Sequence, residues 1–314
     1  MKDKKLKILT IIVTYNGSKW IEKCIDSIQG SNLNADIFLV DNASIDDTVF
    51  ILKRFPTIIL HESKENLGFG QANNLGLKYA LKNKYDYVFL LNQDTWIEKN
   101  TIEVLSFVAE KNTEYGIISP IHYFSDEKSL EYFFSTRISP QYCKDILSDF
   151  VVKEVEKMHD VYSLNFIHAA AWFMPIKTIE KIGGFDPVFF HYGEDNNYCQ
   201  RLNFHNIKIG VTPKAKIYHD CKTQEENQII LRNKKIDKLV LDFKVQFSNI
   251  NNNITYLSMF KYILKLVLNS LEKIMMFDFK EGSVFLVASL NCFFSLNDIL
   301  KSRINNLDLK PNYL

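Results

Sequence analysis

Apolar residues in this chain come in short runs, each followed at once by a polar cluster, at regular spacing over the first hundred positions. Runs rich in Ile, Leu, Val and Phe lie at 7–13, 36–40, 57–60 and 86–91. Runs this short, bounded by polar and Gly-bearing links, read as strands covered on both faces. Between them apolar positions recur at helical spacing over roughly 18–30, 45–54 and 70–83, with Val49, Ile51 and Leu52 on the sheet-facing side of the second. Strand–helix–strand repeated three times predicts an α/β, Rossmann-like sheet, largely parallel, with right-handed crossovers and helices on both faces.

The pattern continues past 98 with a helix and a strand at 115–121. Residues 122–160 are irregular and mixed in charge, an insertion able to cover a site. Strand character returns at 161–176, a helix follows at 176–183, and 215–220 reads as a last strand. From 224 to 305 the periodicity is mostly helical, and Met259, Tyr262, Ile263, Leu266, Val267, Leu271 and Ile274 fall on one stripe. A domain boundary is placed near 222, dividing the chain into 1–222 and a C-terminal helical region, 223–314. Lys261, Lys265 and Lys273 beside the stripe suit peripheral membrane contact; a helical cap or a homo-oligomer interface gives the same pattern.

Composition narrows the classes. With 46% hydrophobic and 24% charged residues the chain is globular rather than disordered. A net charge of +1 gives no electrostatic case for nucleic acid. The five cysteines, Cys24, Cys143, Cys199, Cys221 and Cys292, include no C-x-x-C pair, which argues against a disulfide framework and suits a reducing cytoplasm. The basic start MKDKK leads into a first strand rather than a signal peptide. The late apolar run 283–296 is shorter than the roughly 20 residues that span a bilayer.

Candidate chemistry collects where strands end. In VTYN (13–16), Thr14, Tyr15 and Asn16 follow the first strand; Tyr15 can stack on a base, and Asn16 or Ser18 can instead cap the next helix. Asp41, in LVDNAS, is placed to take a base imide or a ribose hydroxyl, or to cap a helix. NLGFGQANNLG (66–76) matches neither a dinucleotide fingerprint nor a P-loop, yet its glycines and asparagines allow close approach to a ligand. Asp94, at the end of LLNQD, is either an Asx turn or a carboxylate for a hard cation, with Asn92 and Gln93 in support. In FFHYGEDNNYCQRL (189–202), Glu194 and Asp195 open a helix, and one carboxylate there is a candidate general base. Phe190, His191 and Tyr192 upstream can wall a sugar ring. His219 is a candidate metal or phosphate contact.

In this order the segments strongly resemble family 2 glycosyltransferases of the GT-A fold, nearest in type to bacterial rhamnosyltransferase-like members that build surface polysaccharides. The resemblance covers about residues 7–220. It implies an inverting transferase that moves a sugar from a nucleotide-sugar donor, UDP- or dTDP-linked, to a glycan or lipid-linked acceptor at the inner face of the cell membrane. It implies donor contacts from Thr14, Tyr15, Asn16, Asp41, Asn66, Asn74, Asn92, Gln93, Asp94 and Arg201, and acceptor contacts from Phe190, His191 and Tyr192. Asp195 would be the base, with Glu194 its partner. Asp94 and His219 would hold a divalent cation, Mn2+ or Mg2+. Two departures stand out: Asn92 replaces the first acid of a strict D-x-D, and Asn197 stands where many relatives carry another acid. A catalytically silent nucleotide-sugar or glycan-binding protein on the same fold is the alternative.

Overall fold

The computed structural model describes residues 6–221 and 228–314. The first hundred residues form β1 (Ile8–Thr14), α1 (Ile21–Gln29), β2 (Asp36–Asp41), α2 (Thr48–Leu52), β3 (Ile59–Glu62), α3 (Phe69–Lys82) and β4 (Tyr87–Asn92). These strands are parallel and lie in the order β3-β2-β1-β4, as the alternating pattern predicts.

The second half departs from parallel order. It contains β5 (Thr95–Ile97), α4 (Thr101–Lys111), β6 (Tyr115–Phe124), α5 (Tyr132–Arg137), α6 (Ile146–Val152), β7 (Tyr162–Leu164), β8 (Ala171–Pro175), α7 (Ile176–Ile182), α8 (Glu194–Phe204) and β9 (Lys208–His219). The sheet continues β4-β8-β6-β9-β5, with β7 on β9. Strand β8 runs antiparallel to both β4 and β6, while β6 and β9 are parallel. The sheet is therefore mixed, flanked by helices. Strand β9 is longer than its sequence suggests because Pro213 falls where the β6–β9 register shifts, between Val211 and Lys216. A proline has no N–H to give the ladder, so it is tolerated at such an irregularity.

Alternation along the central strands divides the core between the sheet's faces. Leu9, Ile11, Val40, Leu90 and Trp172 belong to one buried cluster, and Ile8, Ile12, Leu39, Phe89 and Phe173 to the other. In register, Thr14 pairs with Asp41 and Val13 with Asn92, so three strands change from apolar to polar at one level. That level is the carboxyl edge of the parallel strands, where open α/β sheets bind ligands.

The C-terminal extension is α9 (Gln228–Ser248), α10 (Tyr256–Met275), α11 (Phe279–Phe294) and α12 (Leu296–Asn306). The boundary expected near 222 lies outside the described residues. These helices enclose a third cluster that includes Phe243, Phe247, Met259, Ile263, Leu266, Val284 and Ile299. Met259, Ile263 and Leu266 of the stripe offered for membrane contact are thus turned inward; Leu271 is exposed, with Leu257, Phe260, Leu264 and Leu268 on the outer side. No single described helix is long and apolar enough to cross a membrane.

The chain then returns to the sheet domain. Gly184 N–H donates to the Asn312 carbonyl at 2.8 Å. Asp186 Oδ2 accepts from Ser302 Oγ at 2.6 Å, Asn306 Nδ2 at 3.1 Å and the Tyr313 hydroxyl at 2.8 Å.

Candidate active site at the strand ends

The polar edge is wired across strands. Gln93 Oε1 accepts from Thr14 Oγ1 at 2.6 Å and from Tyr15 N–H at 3.0 Å. A side chain at position 17 would collide with Gln93 Oε1 and Thr14 Oγ1, which is why the link after β1 carries Gly17. Tyr15 itself is 44% exposed, leaving its ring face available. Asn16, at φ +50°, bonds Ser44 Oγ through its backbone N–H and accepts from Ile45 N–H, so it joins two loops rather than projecting into a pocket. Asp41 is 2% exposed; its Oδ2 accepts from Ser44 N–H at 3.1 Å, while Oδ1 is buried without a partner.

Asn42, not singled out by sequence, organises the next loop: its amide donates to Asn66 Oδ1 at 2.8 Å and its oxygen accepts from Leu67 N–H at 2.8 Å. Gly68, at φ +77°, lies so close to the Phe190 backbone carbonyl that only glycine fits, which docks this loop on the 189–192 segment.

Beside this edge a cavity of about 390 Å³ is lined by Asn92, His122, Glu131, Phe133, His168, His191, Tyr192, Glu194, Asp195 and His219, among others. A larger depression of about 600 Å³ shares His191 and Tyr192 with it, adds Phe190, and extends to Lys238 and Lys244 of α9. The aromatic segment therefore stands between the cavity and the C-terminal helices.

Glu194 and Asp195 form the first turn of α8, where the helix dipole favours negative charge. Burial foremost, and the Asp195 charge second, push the Glu194 carboxyl up to about 8. Its Oε2 is buried with no hydrogen bond. Burial also raises Asp195, but Asn196 opposes it by donating its backbone N–H to Oδ1 at 2.7 Å and its amide at 3.1 Å. Hydrogen bonds to the charged form favour it, so Asp195 is the member that ionises first and Glu194 the one that keeps its proton.

Asp94 Oδ1 lies 3.3 Å from His219 Nε2 across the β5–β9 pairing, in which Thr95 sits opposite His219. Burial works against a charge on His219, but the Asp94 carboxylate and the Cys221 thiol outweigh it and raise the imidazole to about 10. One ligand atom from each of His122, Glu131 and His219 lies within 4.8 Å of the others, a grouping able to chelate a metal ion. Nδ1 of His219 is buried without a partner, and a metal bound there would displace the proton that nitrogen carries in the imidazolium.

Asn92, His191, Tyr192, Glu194, Asp195 and His219 thus share one cavity, with Thr14, Tyr15, Asp41, Asn66, Gln93 and Asp94 along the adjoining edge. Two expected donor contacts are placed elsewhere. Arg201 is 1% exposed, and its guanidinium donates to the Ile182 carbonyl at 2.9 Å and the Gly184 carbonyl at 2.5 Å. Asn74 clamps Phe185 through its N–H at 2.7 Å and its carbonyl at 2.8 Å. Both spend their polar groups on the GGFD backbone and brace the site from beneath. His122, Glu131, Phe133 and His168 carried no local signal for the cavity; they meet it through the insertion and the β6 and β8 approaches.

A parallel half-sheet, a reversed strand beside it and an acidic pair over the strand ends define the GT-A class of fold. Residues 10–164, about half of the chain, match the profile of glycosyl transferase family 2, and through this domain the chain belongs to that family. It is 29% identical over 172 residues to glycosyltransferase GlyA of Streptococcus pneumoniae, covering 53% of this chain but only 24% of GlyA. It is 24% identical to rhamnosyltransferase WbbL of Escherichia coli, over 68% of this chain and 83% of WbbL. Among solved structures, S. aureus TarS in complex with UDP superposes with a TM-score of 0.54 at 14% identity, covering 80% of this chain and 67% of that one.

Proposed function

We propose that this chain is an inverting glycosyltransferase that moves a sugar from a nucleotide sugar to a hydroxyl of a glycan or lipid-linked acceptor in bacterial surface polysaccharide synthesis. The observation that carries this reading is the Glu194–Asp195 pair facing a cavity at the carboxyl edge of the sheet, with Asp94 on the same edge. The likeness to a UDP-bound fold supports a UDP-linked donor, and a dTDP-linked sugar is the other donor class to test.

In this mechanism Tyr15 and Asp41 hold the base and ribose, and the diphosphate lies toward Asp94. Asp195 accepts the proton of the acceptor hydroxyl as that oxygen bonds the anomeric carbon from the face opposite the diphosphate. The carbon–oxygen bond to the diphosphate breaks in the same displacement, and the configuration inverts. Glu194, protonated, adds no second charge beside the base. A divalent cation, Mn2+ or Mg2+, would supply charge for the departing diphosphate, and Asp94 is the carboxylate that would hold it. His191 and Tyr192, 66% exposed in the latter case, wall the acceptor side.

The test is a panel of UDP-, dTDP- and GDP-sugars with Mn2+ or Mg2+, read by donor release and by binding. Turnover in wild type, and its loss with retained donor binding in Asp195→Asn, is the expected result. Donor binding without turnover or hydrolysis in wild type would instead identify a silent nucleotide-sugar-binding protein.

A further inference from the structure

We propose that His122, Glu131 and His219 form a resident transition-metal site of the zinc class, oriented by Asp94, which pins the 122–160 insertion to the end of β9. The three ligands come from three places: His122 from the end of β6, Glu131 from the residue that caps α5, and His219 from the last residue of β9. Their ligand atoms lie within 4.8 Å of one another.

The hydrogen bonds accommodate one tautomer at each histidine that leaves an atom free to ligate. With the Ser119 hydroxyl proton on the Pro120 carbonyl at 3.1 Å, the 2.9 Å contact with His122 Nε2 is donated by the imidazole, and this is the tautomer the site requires. In that tautomer His122 keeps its lone pair on Nδ1; the side chain is 1% exposed and borders the cavity. On His219 the roles fall the same way. A carboxylate only accepts, so Nε2–H faces Asp94 Oδ1 at 3.3 Å, and the buried Nδ1 is left without a partner. Carboxylate, imidazole and metal in line is the arrangement that holds a ligating histidine in one tautomer. Glu131 is steadied by Phe133 N–H at 2.8 Å and the Cys221 thiol at 3.5 Å on Oε1 and by Phe134 N–H at 2.7 Å on Oε2, which leaves Oε2 a second lone pair for a metal.

Two imidazoles and one carboxylate suit zinc-class ions, whereas Mg2+ prefers oxygen ligands and its own waters. The three-ligand set leaves one position for the cavity; Cys221 Sγ, 3.5 Å from Glu131 Oε1, stands beside it. This site is separate from the donor's cation, and in it Asp94 is a positioning residue.

The test uses the full chain, stripped of metal and free of nucleotide, titrated with Co2+ as an optical probe and with Zn2+ as competitor. Wild type is expected to bind one equivalent, show the visible bands of a low-coordinate Co2+ site, release Co2+ to Zn2+, and melt at a higher temperature with Zn2+ present. His122→Gln and His219→Gln should each lose the bands and the Zn2+-dependent rise. Asp94→Asn should keep the bands at saturation while weakening affinity about 10- to 100-fold. Because His122 is buried and His219 lies at a strand end, His219→Gln serves if His122→Gln does not fold. Absence of one-equivalent binding in wild type overturns the proposal. So does unchanged binding in both histidine variants, or loss in Asp94→Asn with His122→Gln unaffected, since the ion would then sit on Asp94.

Discussion

The sheet domain and the C-terminal helices treat apolar side chains in opposite ways. In β1 the apolar residues Ile8, Leu9, Ile11 and Ile12 are 0–2% exposed, divided between two faces that are both covered. In α10, Met259 and Leu266 are 1% and 4% exposed, but Leu257, Phe260, Leu264 and Leu268 on the other side are 50–63% exposed. Along α11, Phe293 and Phe294 are 48% and 74% exposed. A strand buried on both faces can use every apolar residue for stability, at about 25 cal/mol for each Å² removed from water. A helix that packs one face and keeps a second apolar face outside gains nothing from that face in water. Contiguous exposed apolar surface marks a binding surface. The reading that follows is a division of labour, with chemistry at the sheet edge and attachment on the helices.

The largest effect that division predicts is at Asp195. Asp195→Asn keeps the shape of α8 but removes the proton acceptor, and transfer should fall about 10²- to 10⁴-fold while donor affinity stays near wild type. A rate assay beside donor titration checks it; full activity in the variant rejects the base. If charge rather than shape is what Glu194 must avoid, Glu194→Gln should cost far less than Asp195→Asn in the same assay.

Next in size is the joint between the two regions. Asp186 is 2% exposed and takes Ser302, Asn306 and Tyr313 on one oxygen and Val188 N–H at 3.0 Å on the other. Asp186→Ala leaves buried donors unpaired and should destabilise the chain by about 3 kcal/mol. If the helices are an independent appendage, denaturation followed separately in each region should show only one transition moving. If Asp186 couples them, both should shift together.

How much of this was legible in the sequence follows from the same contrast. Strands β1, β2 and β4 were readable because both faces are buried and the run is uninterrupted; Asp41, Asp94 and the Glu194–Asp195 helix start were readable because strand and helix ends are local events. Strand β9 was seen only in its last residues, since Pro213 and the lysines at 214 and 216 break the apolar run. Arg201 matched by type, but seven residues from Glu194 along a helix is about 10 Å, and only packing decides that it points beneath the site. His122, Glu131 and His219 converge from positions 9 and 88 residues apart, a contact that no local spacing encodes. The α10 stripe is legible, yet Leu257, Phe260, Leu264 and Leu268 make a second apolar face between the lysines, and spacing alone does not say which face is covered.

A smaller, graded effect separates the site from the bulk of the sheet. The Glu194 carboxyl is raised from 4.5 to about 8, so the folded chain holds a proton that the unfolded chain has already released. Its contribution is greatest below about pH 4.5 and is lost as pH rises through about 8. Melting temperature followed across this window should fall in wild type through this group, and more shallowly in Glu194→Gln. An identical slope in the two proteins would show that the carboxyl is ionised in the fold and return the proton-holding role to Asp195.

The smallest effect on folding, and the sharpest test of the division, is on the outer face of α10. Leu264→Glu together with Leu268→Glu changes two exposed positions, and each should alter stability by no more than about 0.5 kcal/mol. Transfer to a small soluble acceptor should be unchanged, because neither residue borders the cavity. Flotation with anionic vesicles should change most: the acidic pair removes apolar contact and opposes the attraction of nearby Lys261 and Lys265, both exposed, for the lipid surface. Unchanged flotation would remove the membrane from the account of this face. A shift from dimer to monomer in the double variant would assign the face to a second copy of the chain, leaving the sheet-edge chemistry as it stands.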